Sequence, residues 1–150
     1  MYLKINSADG VVFEWDVKEV VVPTEWGEVG ILPSHQPMVA VVTPWVVKIK
    51  VEDETLKQKF DIRDVNDDIL LSVSKGILYV DGQNVYILTS VASTTLEQSA
   101  QALEQMKQQL EQELQKVKVK GSVEEIEKAL ISLQKINADL KLYKLKYWKV

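Results

Sequence analysis

The chain has 150 residues, 46% of them hydrophobic, with one histidine, no cysteine and a formal net charge of −4. This suits one domain or two small ones with a real core, and it excludes disulfides, thiolate metal sites and any multi-histidine metal centre. The charge is unevenly divided: residues 1–93 carry 8 Lys+Arg against 14 Asp+Glu, net −6, and residues 94–150 carry 10 Lys against 8 Asp+Glu, net +2. Either the two parts meet different partners or the lysines form a solvated face.

The amino terminus, Met1-Tyr2-Leu3-Lys4-Ile5-Asn6, alternates apolar and polar residues as a half-buried strand does, and lacks a basic-then-apolar signal pattern. Lys18–Val22 is a second strand, running into Pro23. Residues 22–37 hold Pro23, Gly27, Gly30, Pro33 and Pro37, and are expected to form a shaped connection between strands. Loops of set shape on a rigid scaffold are common sites of function. Met38–Val42 reads as a more fully buried strand and Lys48–Glu52 as an alternating one. The longest apolar region, Val39 to Val47, is broken by Thr43 and Pro44. It falls short of the ~20 residues that span a bilayer, so a soluble chain that meets membranes only through partners is expected.

Asp61, Asp64, Asp67 and Asp68 form an acidic cluster, but Ile69 and Lys75 stand where a calcium loop starting at Asp64 needs glycine and glutamate. A polar turn is expected there. Ile69–Val73 and Ile77–Val80 are strands about Ser74-Lys75-Gly76, and Asp81-Gly82 turns the chain into Val85–Leu88. Many short strands with frequent turns predict an all-β sandwich or barrel. At least two of Trp15, Trp26 and Trp45 should pack within it, with Trp26 either packed or serving a contact.

Near Ser93 the period changes. Leu96, Ala100, Leu103, Met106, Leu110, Leu114 and Val117 recur at steps of three and four, one face of an amphipathic helix. Thr94 or Thr95 can cap it, Glu97 lies near its first turn, and Gly121 ends it after Lys116, Lys118 and Lys120. Ser122 and Glu125 form a capping-box pattern for a second helix, whose stripe is Val123, Ile126, Leu130, Leu133, Ile136 (or Asn137) and Leu140. The short connection predicts an antiparallel helical hairpin. Residues Leu142 to Val150 alternate well enough to end as helix or as strand. The reading is α+β: an N-terminal antiparallel β-sandwich over 1–92, then a C-terminal antiparallel two-helix hairpin over 93–150.

The stretch Gly27-Glu28-Val29-Gly30-Ile31-Leu32-Pro33-Ser34-His35-Gln36-Pro37 closely resembles a motif of the epsilon subunit of F-type ATP synthases, the delta subunit in mitochondria. Val73-Ser74-Lys75-Gly76-Ile77-Leu78-Tyr79-Val80 with Asn84-Val85-Tyr86-Ile87-Leu88 resembles a second family segment, with Lys75 in place of its first glycine and the aromatic displaced to Tyr79. The order sandwich then hairpin extends the resemblance over the whole chain.

It implies a non-catalytic central-stalk subunit without cofactor, in a peripheral membrane complex on the cytoplasmic face of the cell membrane. The sandwich would bind the gamma subunit and the membrane rotor ring through Glu28, Gly30, Ile31, Leu32, Pro33, His35, Pro37 and Met38. Glu28 matches a carboxylate that the family sets against polar loops of the ring. The hairpin would fold down or extend along the stalk and restrain ATP hydrolysis. Lys141, Lys144, Lys146 and Lys149 would then meet the alpha and beta catalytic subunits transiently.

Other chemistry is missing from the sequence. No Gly-x-x-x-x-Gly-Lys-Ser/Thr loop cradles phosphate, and no nucleophile–histidine pair stands out. Some bacterial family members bind ATP through an Ile/Leu-Asp-x-x-Arg-Ala motif. Leu96-Glu97-Gln98-Ser99-Ala100 lacks its aspartate and arginine, so no ATP site is expected. The acidic β part argues against nucleic acid. His35 is expected to be a hydrogen-bonded structural imidazole or a contact residue. The alternative function is a chaperone-like or adaptor module presenting its helical hairpin to clients.

Overall fold

The structure, a computed structural model, describes residues 1–60, 63–93 and 100–147, leaving aside the side chains of Ala100, Lys146 and Tyr147. The β part contains β1 (Tyr2–Ser7), β2 (Gly10–Asp16), β3 (Glu19–Thr24), β4 (Gly27–Ile31), β5 (Met38–Val42), β6 (Trp45–Lys50), β7 (Ile69–Val73), β8 (Gly76–Val80), β9 (Asn84–Thr89) and β10 (Ala92–Ser93). A short helix, α1 (Glu54–Lys59), sits between β6 and β7, and α2 (Ala100–Lys120) and α3 (Val123–Tyr147) follow the strands.

Hydrogen bonding runs β10-β7-β6-β3-β5-β8-β9-β1-β2, with β4 paired on β3 alone. The two layers of the sandwich meet at β3, where Thr24 pairs Val42 of β5 while Val20 and Val21 pair β6. Period-2 alternation brings Leu3, Ile5, Phe13, Val20, Val22, Ile31, Val42, Val47, Ile49, Ile69, Leu71, Leu78 and Ile87 into one shared core. The pairs are antiparallel except β1 with β9, which is parallel (Leu3 opposite Val85, Ile5 opposite Ile87). Gly76 is needed where β8 passes β9, because a Cβ there would overlap the Leu88 carbonyl.

Three expectations change in detail. Residues 22–37 are not all connection: Gly27–Ile31 forms β4, hairpinned onto β3 with Val22 opposite Val29. Met38–Val42 is buried on one face only, since Ala40 and Val42 enter the core while Val39 is 62% exposed. Helix α1 carried too short a period to be read; Asp53 caps it, accepting from the Thr55 N–H at 2.9 Å, and Leu56 anchors it in the core.

The helical hairpin forms as expected, α2 lying along α3. Leu103, Ile136 and Leu140 bury together, with Leu110 packed beside them. The Ser122 hydroxyl accepts from the Glu125 N–H at 3.3 Å, half of the expected capping box. Gly121 closes α2 without a left-handed cap; it is needed for space, since a Cβ there would overlap the Val117 side chain. The proposed cap at Thr94 or Thr95, Glu97 and the stripe's Leu96 lie outside the described residues. The end of α3 stays helical to Tyr147 rather than becoming a strand.

The stripe of α3 is used unevenly. Val123 is 72% exposed and Leu130 39%, whereas Ile136, Ala138, Leu140 and Leu142 are buried. Its second half lies across β6 and β7, where Leu142 packs on Val46 and Leu70. Strand β7 is therefore buried at every position: Ile69, Leu71 and Val73 face the sandwich core, while Leu70 and Ser72 lie under α3.

Candidate functional site

Two regions carry the candidate residues, and a third emerges from the fold. The first is the β3–β4 hairpin with the loop after it. Among the described residues strand β4 pairs with β3 alone, so it is an edge there, and its burial alternates until Ile31 enters the core. Glu28 and Gly30 share its exposed face. Beyond the strand, the His35 N–H donates to the Leu32 carbonyl at 3.1 Å, closing a turn in which Ser34 takes φ +67°. The His35 Nδ1 lies 2.8 Å from the carbonyl of its neighbour Gln36, in an exposed contact. Pro37 packs beside Gly82 of the β8–β9 turn.

Of the eight proposed contact residues, Glu28, Gly30, Leu32, Pro33 and Pro37 are exposed, and His35 and Met38 are half-buried. Ile31 has no exposed surface: it presents nothing to a partner and supports the loop from the core. Glu28 sits by the Thr24–Gly27 turn, whereas residues 32–37 lie at the opposite end of β4, so the segment lines one edge of the sandwich rather than a single spot.

The second region is the seat of α3. The Lys135 ammonium lies 2.6 Å from the Asp139 carboxylate and also donates to the Ser72 and Ser93 hydroxyls at 3.1 and 3.2 Å. Ser72 donates to Asp139 as well. This cluster ties α3 to β7 and β10 and borders a cleft of ≈ 540 Å³ lined by Ser74, Ser90, Ser93, Met106, Lys135 and Asp139. Lys141 lies 5.9 Å from the Trp45 ring centroid, so this tail lysine faces the sandwich. Lys144 is exposed; the Lys146 side chain and all of Lys149 lie outside the described residues.

The third region was not read from the sequence. On the layer face away from the helices, Val39, Ile77, Tyr79 and Leu88 are each about half exposed or more. Cross-strand register sets Val39 opposite Tyr79 and Ile77 opposite Leu88, and Tyr79 stacks on Tyr86 with centroids 6.0 Å apart. The signal was present: Met38–Val42 and Ile77–Val80 lack alternation, which marks a strand apolar on both faces, and full burial was only one way to meet it.

Electrostatics explain the acidic turn. Asp67 binds the Lys57 ammonium at 2.9 Å and Arg63 at 3.2 Å; the Lys57 contact holds its carboxyl below the usual range and raises Lys57. The Asp64 carboxylate accepts the N–H groups of Asn66 and Asp68, as a turn-forming aspartate does. Asp61 lies outside the description, and among the described residues no group of three or more His, Cys, Asp or Glu could hold a metal ion. Among the described residues, no helix is long and apolar enough to cross a membrane. The apolar stripes an adaptor would offer to clients are covered in part: Leu103, Leu114, Ile136 and Leu140 are buried, while Met106, Val123 and Leu130 are exposed.

A family model described as "ATP synthase, Delta/Epsilon chain, beta-sandwich domain" matches residues 1–95. The ATP synthase epsilon chain of Bordetella parapertussis is 29% identical over 140 residues, covering 92% of this chain and 91% of its own. That of Neisseria meningitidis serogroup C is 30% identical over 97 residues, covering 65% and 61%. A chain in the cryo-EM structure of the Euglena gracilis mitochondrial ATP synthase (OSCP/F1/c-ring, rotational state 1) shares the fold. Its TM-score is 0.70 at 17% identity, covering 94% of this chain and 79% of that one.

Proposed function

The chain belongs to the ATP synthase delta/epsilon family, and from that premise we propose that it works as the epsilon-type subunit of the central stalk of a rotary F-type ATP synthase. It is a non-catalytic subunit of that complex. The observation that carries this is joint: the family match covers the sandwich, and the helices that follow keep the family's order along nearly the whole chain.

We propose that the sandwich (1–92) couples shaft to ring. Cross-packed layers resist torsion better than a lone helix does, which torque transfer requires. The acidic edge at Glu28 and Gly30, with Leu32, Pro33, His35, Pro37 and Met38, would face the membrane ring. The exposed apolar face of Val39, Ile77, Tyr79 and Leu88 has the character of an interface centre and would take the gamma subunit. The chain then associates with the membrane, on its cytoplasmic face, through the complex.

The hairpin (93–150) would regulate hydrolysis. Fully burying Val46, Leu70 and Leu142 contributes about 1.5–3 kcal/mol each, and ordering aliphatic side chains offsets about 0.5–1 kcal/mol each. The remainder is a few kcal/mol, a size a competing partner can overturn. Undocking would free Lys141 from Trp45 to meet an acidic surface on the catalytic subunits, together with Lys144, Lys146 and Lys149.

Truncation after Ser93 tests this. The shortened chain should still assemble with gamma and the ring while ATP hydrolysis by the complex rises. Unchanged hydrolysis would overturn the regulatory role, and failure of a folded sandwich to assemble would overturn the division of labour.

A further inference from the structure

Helix α3 turns two stripes inward. Ile136 and Leu140 pack toward α2 with Leu103. Lys135, Asp139 and Leu142, each about one turn from the next, lie over the sheet. Of these sheet contacts one is apolar, Leu142 on Val46 and Leu70, and the other is polar.

The polar contact is complete. Strand β10 pairs with β7 so that Ser93 lies opposite Ser72, which puts two hydroxyls on one face of that edge. An ammonium has three N–H groups to donate, and those of Lys135 reach Asp139, Ser72 and Ser93 at 2.6, 3.1 and 3.2 Å. Ser72 in turn donates to Asp139. Ser72 has no exposed surface, and the two charged side chains are nearly buried.

The two contacts specify different things. Apolar burial has no direction. Slid by one turn, about 5.4 Å, α3 would bring Leu145 or Ala138 to the place of Leu142 and still cover Leu70. The same slide takes both charges off their hydroxyls, and a nearly buried charge without partners is strongly unfavourable. Yet the satisfied pair adds little docking strength. Both charges were desolvated to form it, and apolar residues of the same volume often hold as well or better.

We propose that Lys135 and Asp139, seated on Ser72 and Ser93, are a register latch. They hold α3 at one position on the sheet while keeping its docking weaker than an apolar contact would, so the hairpin can be released. The consequence for the motor rests on the regulatory reading above; the latch itself belongs to this chain alone.

The test uses the full chain, whose lack of cysteine leaves Lys75→Cys and Lys128→Cys, both at exposed positions, as its only spin-label sites. The unmodified latch should give one label distance. In the combined Ser72→Ala, Lys135→Met, Asp139→Leu variant, α3 hydrogen exchange should slow about 10-fold or more, and the one distance should split into several. Ser72→Ala alone removes a partner from both charges, and should speed α3 exchange about 10-fold. Unchanged or faster exchange in the combined variant, a single unmoved distance, or unchanged exchange in Ser72→Ala would each overturn the latch. In the assembled complex the combined variant should hold the hairpin down and raise ATP hydrolysis. Unchanged hydrolysis with slowed exchange would overturn the regulatory reading and leave the latch standing.

Discussion

Leu142 of α3 is fully buried against Leu70 of β7, a residue on the face of that strand turned away from the sandwich core. This contact joins the two parts of the molecule, and its energy decides how firmly the helices are held. Leu142→Ala should cost about 2–5 kcal/mol of docking if the site cannot collapse. Even 2 kcal/mol would raise the undocked fraction about 30-fold. Hydrogen exchange at β7 and α3 measures this: protection should fall there while β1 and β9 keep theirs.

Lys135 and Asp139 should behave as a unit. Their side chains are 13% and 17% exposed and share the Ser72 hydroxyl. Lys135→Met leaves a nearly buried carboxylate without its cation, and Asp139→Leu leaves the ammonium without its anion. Each single change should lower the melting temperature more than the double change does. A double-mutant cycle in thermal unfolding checks this, with strong non-additivity expected.

Asp68 gives a pH dependence of definite sign. Burial, then the neighbouring Asp64 charge, raises its pKa above the usual carboxylate value. The folded state therefore holds this proton more tightly than the unfolded state does. The contribution to stability is present at pH below the unfolded value and is lost as pH rises through the raised folded one. Asp68→Asn should raise the melting temperature at neutral pH, and the gain should shrink as pH falls through the carboxylate range.

Much of this was legible in sequence because local pattern and tertiary role agree. The strands at Tyr2–Asn6 and Lys48–Lys50 alternate because one face meets the core, and the heptad-like spacing of Leu103, Leu110 and Leu114 became a helix packed on its neighbour. Trp15 packs on Phe13 and Phe60 as its size demands, and Trp45 packs beside Val46 and Leu142, while Trp26 stays exposed.

The misses arose where a second layer decides the outcome. The run Ile69–Val73 and the run Met38–Val42 look alike, yet α3 covers the outer face of one, while among the described residues nothing covers Val39 on the other. Strand β4 was hidden by its own punctuation: Gly27 and Gly30 read as loop, although cross-strand bonds to β3 outweigh glycine's poor strand propensity. The parallel β1–β9 pair joins segments about 80 residues apart, beyond any local signal.

The central claim is that this chain is a stalk subunit of a rotary ATP synthase. Affinity purification of the tagged chain from its native membranes, with quantitative mass spectrometry, tests that most directly. The account predicts one copy in constant ratio with a gamma subunit, the catalytic subunits and the ring. Recovery alone, or with a variable collection of unrelated proteins, would contradict it.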